Sequence, residues 1–172
     1  MLKEYLDYLE VERGRAVATR LAYAHYLGRF FVSAKIATIT DITEQRIRDF
    51  RLYLARADLK KATQGQYVIA LRSFLKYLTK RGHEVVPAER IELLQTPARQ
   101  VEIINHAELE RLLNAPDTIT LAGLRDKAVL ELFFSTGLRL SELCALDRFI
   151  DLKKGELTVR GKGDKVRLVF LS

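Results

Sequence analysis

RDKAVLELFFSTGLRLSEL, residues 125–143, decides how the second half of this chain folds. Apolar residues run almost unbroken through 128–134, which predicts a helix buried on most of its sides. Gly137 predicts the end of that helix, because glycine tolerates the left-handed conformation that closes a helix C-terminus. A helical pattern then restarts over 138–146, and Arg139 is expected in its first turn.

The pairing of Arg139 with Glu142 is the first candidate functional feature. A cation in the first turn opposes the helix dipole, and a carboxylate three residues later on the same face compensates it. One interpretation is an ordinary exposed ion pair, which contributes little. The other is an arginine held by the carboxylate and aimed at a phosphate, because a guanidinium matches two phosphate oxygens.

A hairpin follows about twenty residues later. The strand-like runs 156–160 and 165–171 flank a Gly-Lys-Gly-Asp turn centred on Lys162 and predict two antiparallel strands. Glycine on both sides leaves the lysine exposed on a backbone that can approach another surface closely. Lys162 is therefore either a solubilising turn residue or a second cation for a phosphate.

Together these motifs resemble the tyrosine recombinase (phage integrase) family, and within it the Xer-type recombinases. The resemblance rests on TGLRLSEL, on the RDKAVLELFFS before it and on DLKKGELTVRGKGDKVRLVFLS after it. It implies that Arg139 is the first catalytic arginine, Glu142 its acidic companion and Lys162 the hairpin lysine. The chain departs from the family over 147–150, where a tryptophan and one more residue are usual.

The resemblance also implies a reaction. Family members cut DNA by tyrosine attack on a phosphodiester, which gives a 3′-phosphotyrosyl link, and neither metal nor cofactor is expected. Their second arginine motif and nucleophilic tyrosine lie beyond the hairpin, whereas this chain has no tyrosine after Tyr77. We therefore expect the first part of a site-specific DNA recombinase, without its nucleophile. The alternatives are a non-catalytic DNA-binding fragment or regulator, and a helical scaffold with no nucleic-acid partner.

The charge distribution favours a polyanionic partner. Residues 1–100 hold 18 Lys and Arg against 11 Asp and Glu, whereas residues 101–172 hold 11 of each. A basic first half beside a neutral second half indicates that the first half grips nucleic acid. A membrane partner is not expected, since no stretch is apolar enough to span a bilayer and the N-terminus is acidic.

Hydrophobic periodicity predicts four short helices in the first half, hence a helical bundle. Thr43 is the predicted N-cap of the third helix, whose buried side is Ile47, Phe50 and Leu54. Asn105 with Glu108 predicts a capping box at the start of a later helix. Helical spacing places several of the seven tyrosines in the bundle core, so none is expected to be a nucleophile.

The resemblance makes this bundle a core-binding domain that clamps double-stranded DNA, alongside other recombinase protomers. Two basic, hydroxyl-bearing helix starts suit phosphates, although ordinary solvated helix starts have the same composition. The predicted DNA-contact set is Arg15, Thr19, Arg20, Lys60, Lys61, Thr63, Gln64 and Arg72.

The expected fold is mainly α: a four-helix core-binding bundle (1–83), a linker (84–104), and an incomplete α+β catalytic domain with a β-hairpin (105–172). Lost periodicity and two prolines predict the linker. Cys144 is expected in the apolar core, and a single cysteine fits a reducing cytoplasm. The resemblance places that cytoplasm in a prokaryote, at the nucleoid when DNA is bound. Three scattered histidines suggest no metal site.

Overall fold

The computed structural model describes residues 1–95, 101–147, 149–161 and 165–171. Contacts divide the chain into two compact units, residues 1–99 and 100–172. The described elements are mainly helical, with one two-stranded antiparallel sheet in the second unit, and they confirm the predicted fold class. No helix among the described residues is both long enough and apolar enough to cross a membrane.

The first unit is the predicted helical bundle. Its helices are α1 (Leu2–Val11), α2 (Val17–Ser33), α3 (Glu44–Arg56) and α4 (Lys61–Lys80), with short 3-10 helices at Ile39–Asp41 and Ala88–Arg90. Helix α4 lies at the centre, because α2, α3 and the second 3-10 helix all pack against it.

Helix α3 shows how local sequence fixes an element of this bundle. Thr43 caps its N-terminus, since its hydroxyl accepts a hydrogen bond from the Arg46 N–H at 3.3 Å. The residues predicted for its inner face, Ile47, Phe50 and Leu54, are all buried. The position of a threonine before the helix predicted the cap, and the 3.6-residue period predicted the buried face.

Several tyrosines belong to the bundle core, as the sequence indicated. Tyr5, Tyr67 and Tyr77 are buried. The Tyr5 hydroxyl donates to Ser73 Oγ at 2.8 Å, and burial raises the pKa of this phenol far above its ordinary value. These three rings therefore act as packing groups in the bundle core.

The first part of the predicted linker packs against the bundle. Ala88 and Ile91 are 2% and 3% exposed and belong to the bundle core, and Val85 and Val86 pack beside them. Residues 85–91, which the sequence placed in the linker 84–104, therefore belong to the bundle core. Tertiary contact, which periodicity does not report, decides the burial of this short non-helical segment.

The second unit contains the remaining helices and the hairpin. Its elements are α5 (His106–Leu113), α6 (Leu121–Thr136), α7 (Leu140–Cys144), a 3-10 helix (Leu152–Lys154), β1 (Glu156–Arg160) and β2 (Val166–Phe170). The predicted capping box of α5 is present, because Asn105 and Glu108 exchange two hydrogen bonds at 2.9 Å.

The strands pair with Glu156 opposite Phe170 and Arg160 opposite Val166. This register places Leu157, Val159 and Val169 on one face, where all three are buried. They form the core of the second unit together with Leu138, and the end of α6 and parts of α7 pack around them. The hairpin thus covers the part of the unit where α6 ends and α7 begins.

Two expectations about these helices are wrong. Helix α6 is not buried on most sides: Phe134 is 57% exposed, because among the described residues the hairpin covers only one side of the helix. Cys144 is exposed rather than in the core, since α7 ends at this residue and directs Glu142 and Leu143 inward instead.

Candidate active site

Arg139 lies where α6 ends and α7 begins. Gly137 adopts the predicted left-handed conformation, with φ of 61°, and the next residue, Leu138, is buried. Arg139 is the N-cap of α7, one position before the first turn in which the sequence placed it. Its side chain is 63% exposed. The backbone is therefore anchored on both sides while the guanidinium faces outward.

Glu142 holds Arg139 at two points. The backbone N–H of Arg139 donates to Glu142 Oε2 at 2.8 Å, and its Nη1 donates to Oε1 at the same distance. The Glu142 side chain is only 4% exposed. The pair is therefore not an ordinary exposed ion pair, because a buried carboxylate fixes the direction of a largely exposed guanidinium.

Arg167, on β2, is a second cation on the same carboxylate. Its Nη2 donates to Glu142 Oε2 at 2.9 Å and to the Gly137 carbonyl at 3.3 Å. One guanidinium thus ties the hairpin to the N3 residue of α7 and to Gly137, the residue that ends α6. The position of Glu142, and through it of Arg139, depends on where β2 lies.

These contacts keep the Glu142 carboxylate ionised. The hydrogen bond from the Arg139 backbone N–H lowers its pKa most, and the Arg139 guanidinium and the charge of Arg167 lower it further. Burial acts in the opposite direction, but it is outweighed. At neutral pH the site therefore presents a charged carboxylate between two arginines.

The first residue of the hairpin turn reaches the same place. Gly161 donates its N–H to the Lys165 carbonyl at 2.8 Å, which closes the hairpin. A Cβ added to Gly161 would lie 3.1 Å from Glu142 Oε1 and 3.8 Å from Arg139 Nη1. The chain thus passes directly beside the arginine and glutamate just before Lys162, which itself lies outside the described residues.

The predicted DNA-contact residues near α2 have different environments. Arg15 is exposed, whereas Thr19 and Arg20 are half-buried. Arg20 pairs with Glu10 of α1 at 3.1 Å, so part of its charge is neutralised within the bundle. Arg15 and Thr19 also lie at this helix start, and their contact with DNA stays a prediction.

The residues predicted near α4 also divide. Lys60 and Lys61 are exposed and Thr63 is half-buried, so these side chains remain available at the helix start. The Gln64 amide donates to the Leu59 carbonyl at 2.9 Å. Arg72, farther along α4, lies away from this helix start: its Nη1 donates to the Ile91 carbonyl at 2.9 Å and fastens the 85–91 segment to the bundle.

Sequence reasoning missed Arg167 and Gly161. A usable signal existed for Arg167: in the predicted strand it shares a face with Val169, which is buried. A cation on an inward-facing position indicates a buried anionic partner. Among the described residues, no group of three or more His, Cys, Asp or Glu side chains could hold a metal ion.

Comparison with known proteins gives a consistent result for both units. Residues 2–82 match the family model described as "Phage integrase, N-terminal SAM-like domain", and residues 102–172 match the "Phage integrase family" model. Tyrosine recombinase XerC of Pelobacter propionicus is 36% identical over 179 residues, which are 99% of this chain and 58% of that protein. Tyrosine recombinase XerD of Listeria innocua is 32% identical, over 99% of this chain and 60% of that protein.

A solved structure, the integrase from mycobacterium phage Brujita, aligns with 99% of this chain and 57% of its own, with a TM-score of 0.50 and 19% identity. That likeness concerns the fold alone. The chain spans 58% and 60% of the length of the two curated relatives. Since the two family models together match most of its residues, the chain belongs to the phage integrase, or tyrosine recombinase, family.

Proposed function

We propose that this chain is the DNA-engaging portion of a site-specific recombinase, which cuts and rejoins DNA strands through a phosphotyrosine intermediate. The observation that carries this proposal is the Arg139 guanidinium, 63% exposed and fixed from behind by a buried carboxylate. Such a preorganised cation suits a phosphate on which negative charge develops during the reaction.

Each residue of the site has a distinct role in the proposal. Arg139 binds a non-bridging oxygen of the scissile phosphate, and a donor fixed in this way is worth about 3 kcal/mol in the transition state. Glu142 positions Arg139 and does not touch the DNA. Lys162 protonates the leaving 5′-oxygen, a general-acid role worth roughly 10² to 10⁴-fold in rate. The closeness of Gly161 to Arg139 supports this placement of the turn.

The domain roles are part of the same proposal. Residues 1–83, with 85–91 packed on them, clamp double-stranded DNA, the rest of 84–104 connects, and 105–172 supply the first part of the catalytic domain. The excess of basic residues in the first unit and the exposed Lys60 and Lys61 support the clamp. Further recombinase protomers assemble on the same DNA in a prokaryotic cytoplasm, at the nucleoid.

The 172-residue chain by itself provides the first test. It should bind duplex DNA with an affinity that falls steeply with salt, because phosphate contacts release counterions. It should form no covalent adduct with a suicide substrate on a denaturing gel, because all seven tyrosines lie between Tyr5 and Tyr77, within the bundle. A covalent adduct between this chain and DNA would contradict the proposal that the nucleophilic tyrosine lies in another part of a longer protein.

The catalytic roles are tested in a longer recombinase that contains this chain. Arg139→Ala should reduce cleavage about 100-fold or more. Arg111→Ala, which changes an exposed arginine in the last turn of α5, is the matched control and should cleave normally. The Lys162→Ala defect should shrink on a substrate with sulfur at the 5′-bridging position, because a thiolate leaves without a proton. Equal defects on oxygen and sulfur substrates would remove the general-acid role.

The position of the tyrosines also favours a second candidate, a DNA-binding module that occupies recombinase sites without cleaving them. This module and the recombinase portion predict the same binding behaviour for the isolated chain. Reading the native gene around this segment distinguishes them: a later arginine motif and tyrosine support the enzyme, and a stop codon after Ser172 supports the module.

A further inference from the structure

Arg29, in the middle of α2, is held by two tyrosines from other helices. Its Nη2 and Nε donate to the Tyr53 hydroxyl at 3.1 and 3.3 Å, and its Nη1 donates to the Tyr67 hydroxyl at 3.2 Å. The guanidinium carbon also lies 5.2 and 5.6 Å from the centres of the two rings. These contacts fix the orientation of the cation, and the planar fork keeps further N–H donors for a ligand.

The charge of Arg29 is not neutralised by these contacts. Four other arginines of the first unit pair with carboxylates: Arg20, Arg46, Arg81 and Arg90. Among the described residues, no carboxylate oxygen lies within 4.0 Å of Arg29, whose partners are neutral phenols. A guanidinium that is held in place without a carboxylate partner can bind an anion from outside the chain.

A surface cavity of about 560 Å³ adjoins the guanidinium, and Gly28, Val32, Ser33, Tyr53 and His25 line it with Arg29. Gly28 lies inside a helix, where glycine is unfavourable relative to alanine. A Cβ at Gly28 would meet nothing within 4 Å, so packing inside the chain does not explain the glycine. Its absent side chain allows a ligand to approach the helix backbone closely.

We propose that Arg29, Tyr53 and the open backbone at Gly28 bind a phosphate of duplex DNA, at a site separate from the two predicted helix starts. This inference rests on the proposed function, because it assigns a further contact to the DNA clamp. The first unit carries the chain's excess positive charge, which favours a polyanion over an isolated acidic peptide. Arginine and tyrosine hydroxyls are common phosphate ligands.

The experiment measures duplex affinity of the full 172-residue chain by fluorescence anisotropy at several salt concentrations. Arg29→Gln should weaken binding about 10-fold at low salt. It should also make the slope of log affinity against log salt shallower by about 0.9, the value for one lost phosphate. Gly28→Leu, which fills the cavity without changing the charge, should do the same.

Arg48→Gln is the control, because Arg48 is an exposed arginine of α3 that lines a different cavity. It should leave the slope unchanged. Near-UV circular dichroism of the tyrosines checks that each variant is folded. If loss of the Arg29 contacts unfolds the bundle, Gly28→Leu still tests the site, because it leaves Arg29 in place.

The outcomes separate the two proposals. If the unaltered chain does not bind duplex DNA, the proposed function fails, and this inference fails with it. If the unaltered chain binds duplex DNA, but Arg29→Gln and Gly28→Leu show the same slope of log affinity against log salt, only the Arg29 site is overturned. The Arg29 site is also overturned if Arg48→Gln makes the salt dependence of DNA affinity as shallow as Arg29→Gln does. It is overturned as well if polyglutamate binds the unaltered chain but not Arg29→Gln, while the two chains bind DNA with the same affinity.

Discussion

Replacing Ile91 by alanine tests whether residues 85–91 are part of the first unit's core. Ile91 is 3% exposed, and its carbonyl accepts the hydrogen bond from Arg72. The change deletes three buried carbons, worth about 2.4 kcal/mol at roughly 0.8 kcal/mol each, and the remaining cavity raises the loss to about 3 kcal/mol. That is a large share of the roughly 5–15 kcal/mol that stabilises a domain.

The chain provides a selective signal for this measurement. It has no tryptophan, and all seven tyrosines lie between Tyr5 and Tyr77, so tyrosine fluorescence reports on the first unit alone. With a slope of about 1.5 kcal/mol per molar urea, a loss of about 3 kcal/mol lowers the unfolding midpoint by about 2 M. The far-UV signal, in contrast, reports on both units.

Leu93→Ala is the matched control, because Leu93 lies two residues later and is 47% exposed. It should cost less than about 0.5 kcal/mol. If Ile91→Ala and Leu93→Ala shift the midpoint equally, or if Ile91→Ala costs less than about 1 kcal/mol, residues 85–91 are a connector, as the sequence had predicted, and do not contribute to the core.

One pH titration and two substitutions test the second unit. The Glu142 pKa is depressed below its ordinary value of 4.5, so the carboxylate stabilises the fold above that pH and loses this effect as the pH falls. The NMR resonance of the Arg139 amide, which donates to this carboxylate, should therefore titrate below pH 4.5. A titration midpoint at or above pH 4.5 would contradict the geometry. Gly161→Ala should push the carboxylate aside and move that midpoint upward, whereas an unchanged titration would mean that the hairpin does not press on the pair. In Gly123→Ala the new Cβ would overlap the Asp117 carbonyl, so we expect the free energy of unfolding to fall by about 1–3 kcal/mol. Hydrogen exchange of the α6 amides measures this loss, and wild-type protection of these amides would refute the clash.

The sequence predicted those parts of the fold that local signals specify. The Thr43 cap, the buried face of α3 and the first strand of the hairpin agree with the structure, because capping and periodicity act within a few residues. The second strand is one residue shorter at each end than predicted. The exposure of Phe134 was missed, since an apolar run shows what can be buried but not what is present to cover it.

The same distinction applies to the candidate site. Arg139 and Glu142 were found together because they are three residues apart at a helix start, where side chains meet by local geometry. Arg167 contacts that same carboxylate from 25 residues away, and only the strand register and the packing of the hairpin bring it there. Arg72 stays a predicted DNA contact, but its hydrogen bond to the Ile91 carbonyl, 19 residues later, could not be read from a local pattern.

Arg139 and Arg167 share one carboxylate, Glu142, and this sets the net charge of the cluster. Two guanidinium groups and one carboxylate leave this cluster with a single surplus positive charge, and a phosphodiester carries one negative charge. A bound phosphodiester would bring these four groups to neutrality, before the charge of the proposed Lys162 ammonium is counted. If Glu142 were neutral, the cluster would hold two surplus charges and would favour a doubly charged phosphate monoester instead. If the cluster binds DNA as we propose, the ionised carboxylate would therefore favour a phosphodiester within a strand over a phosphorylated strand end.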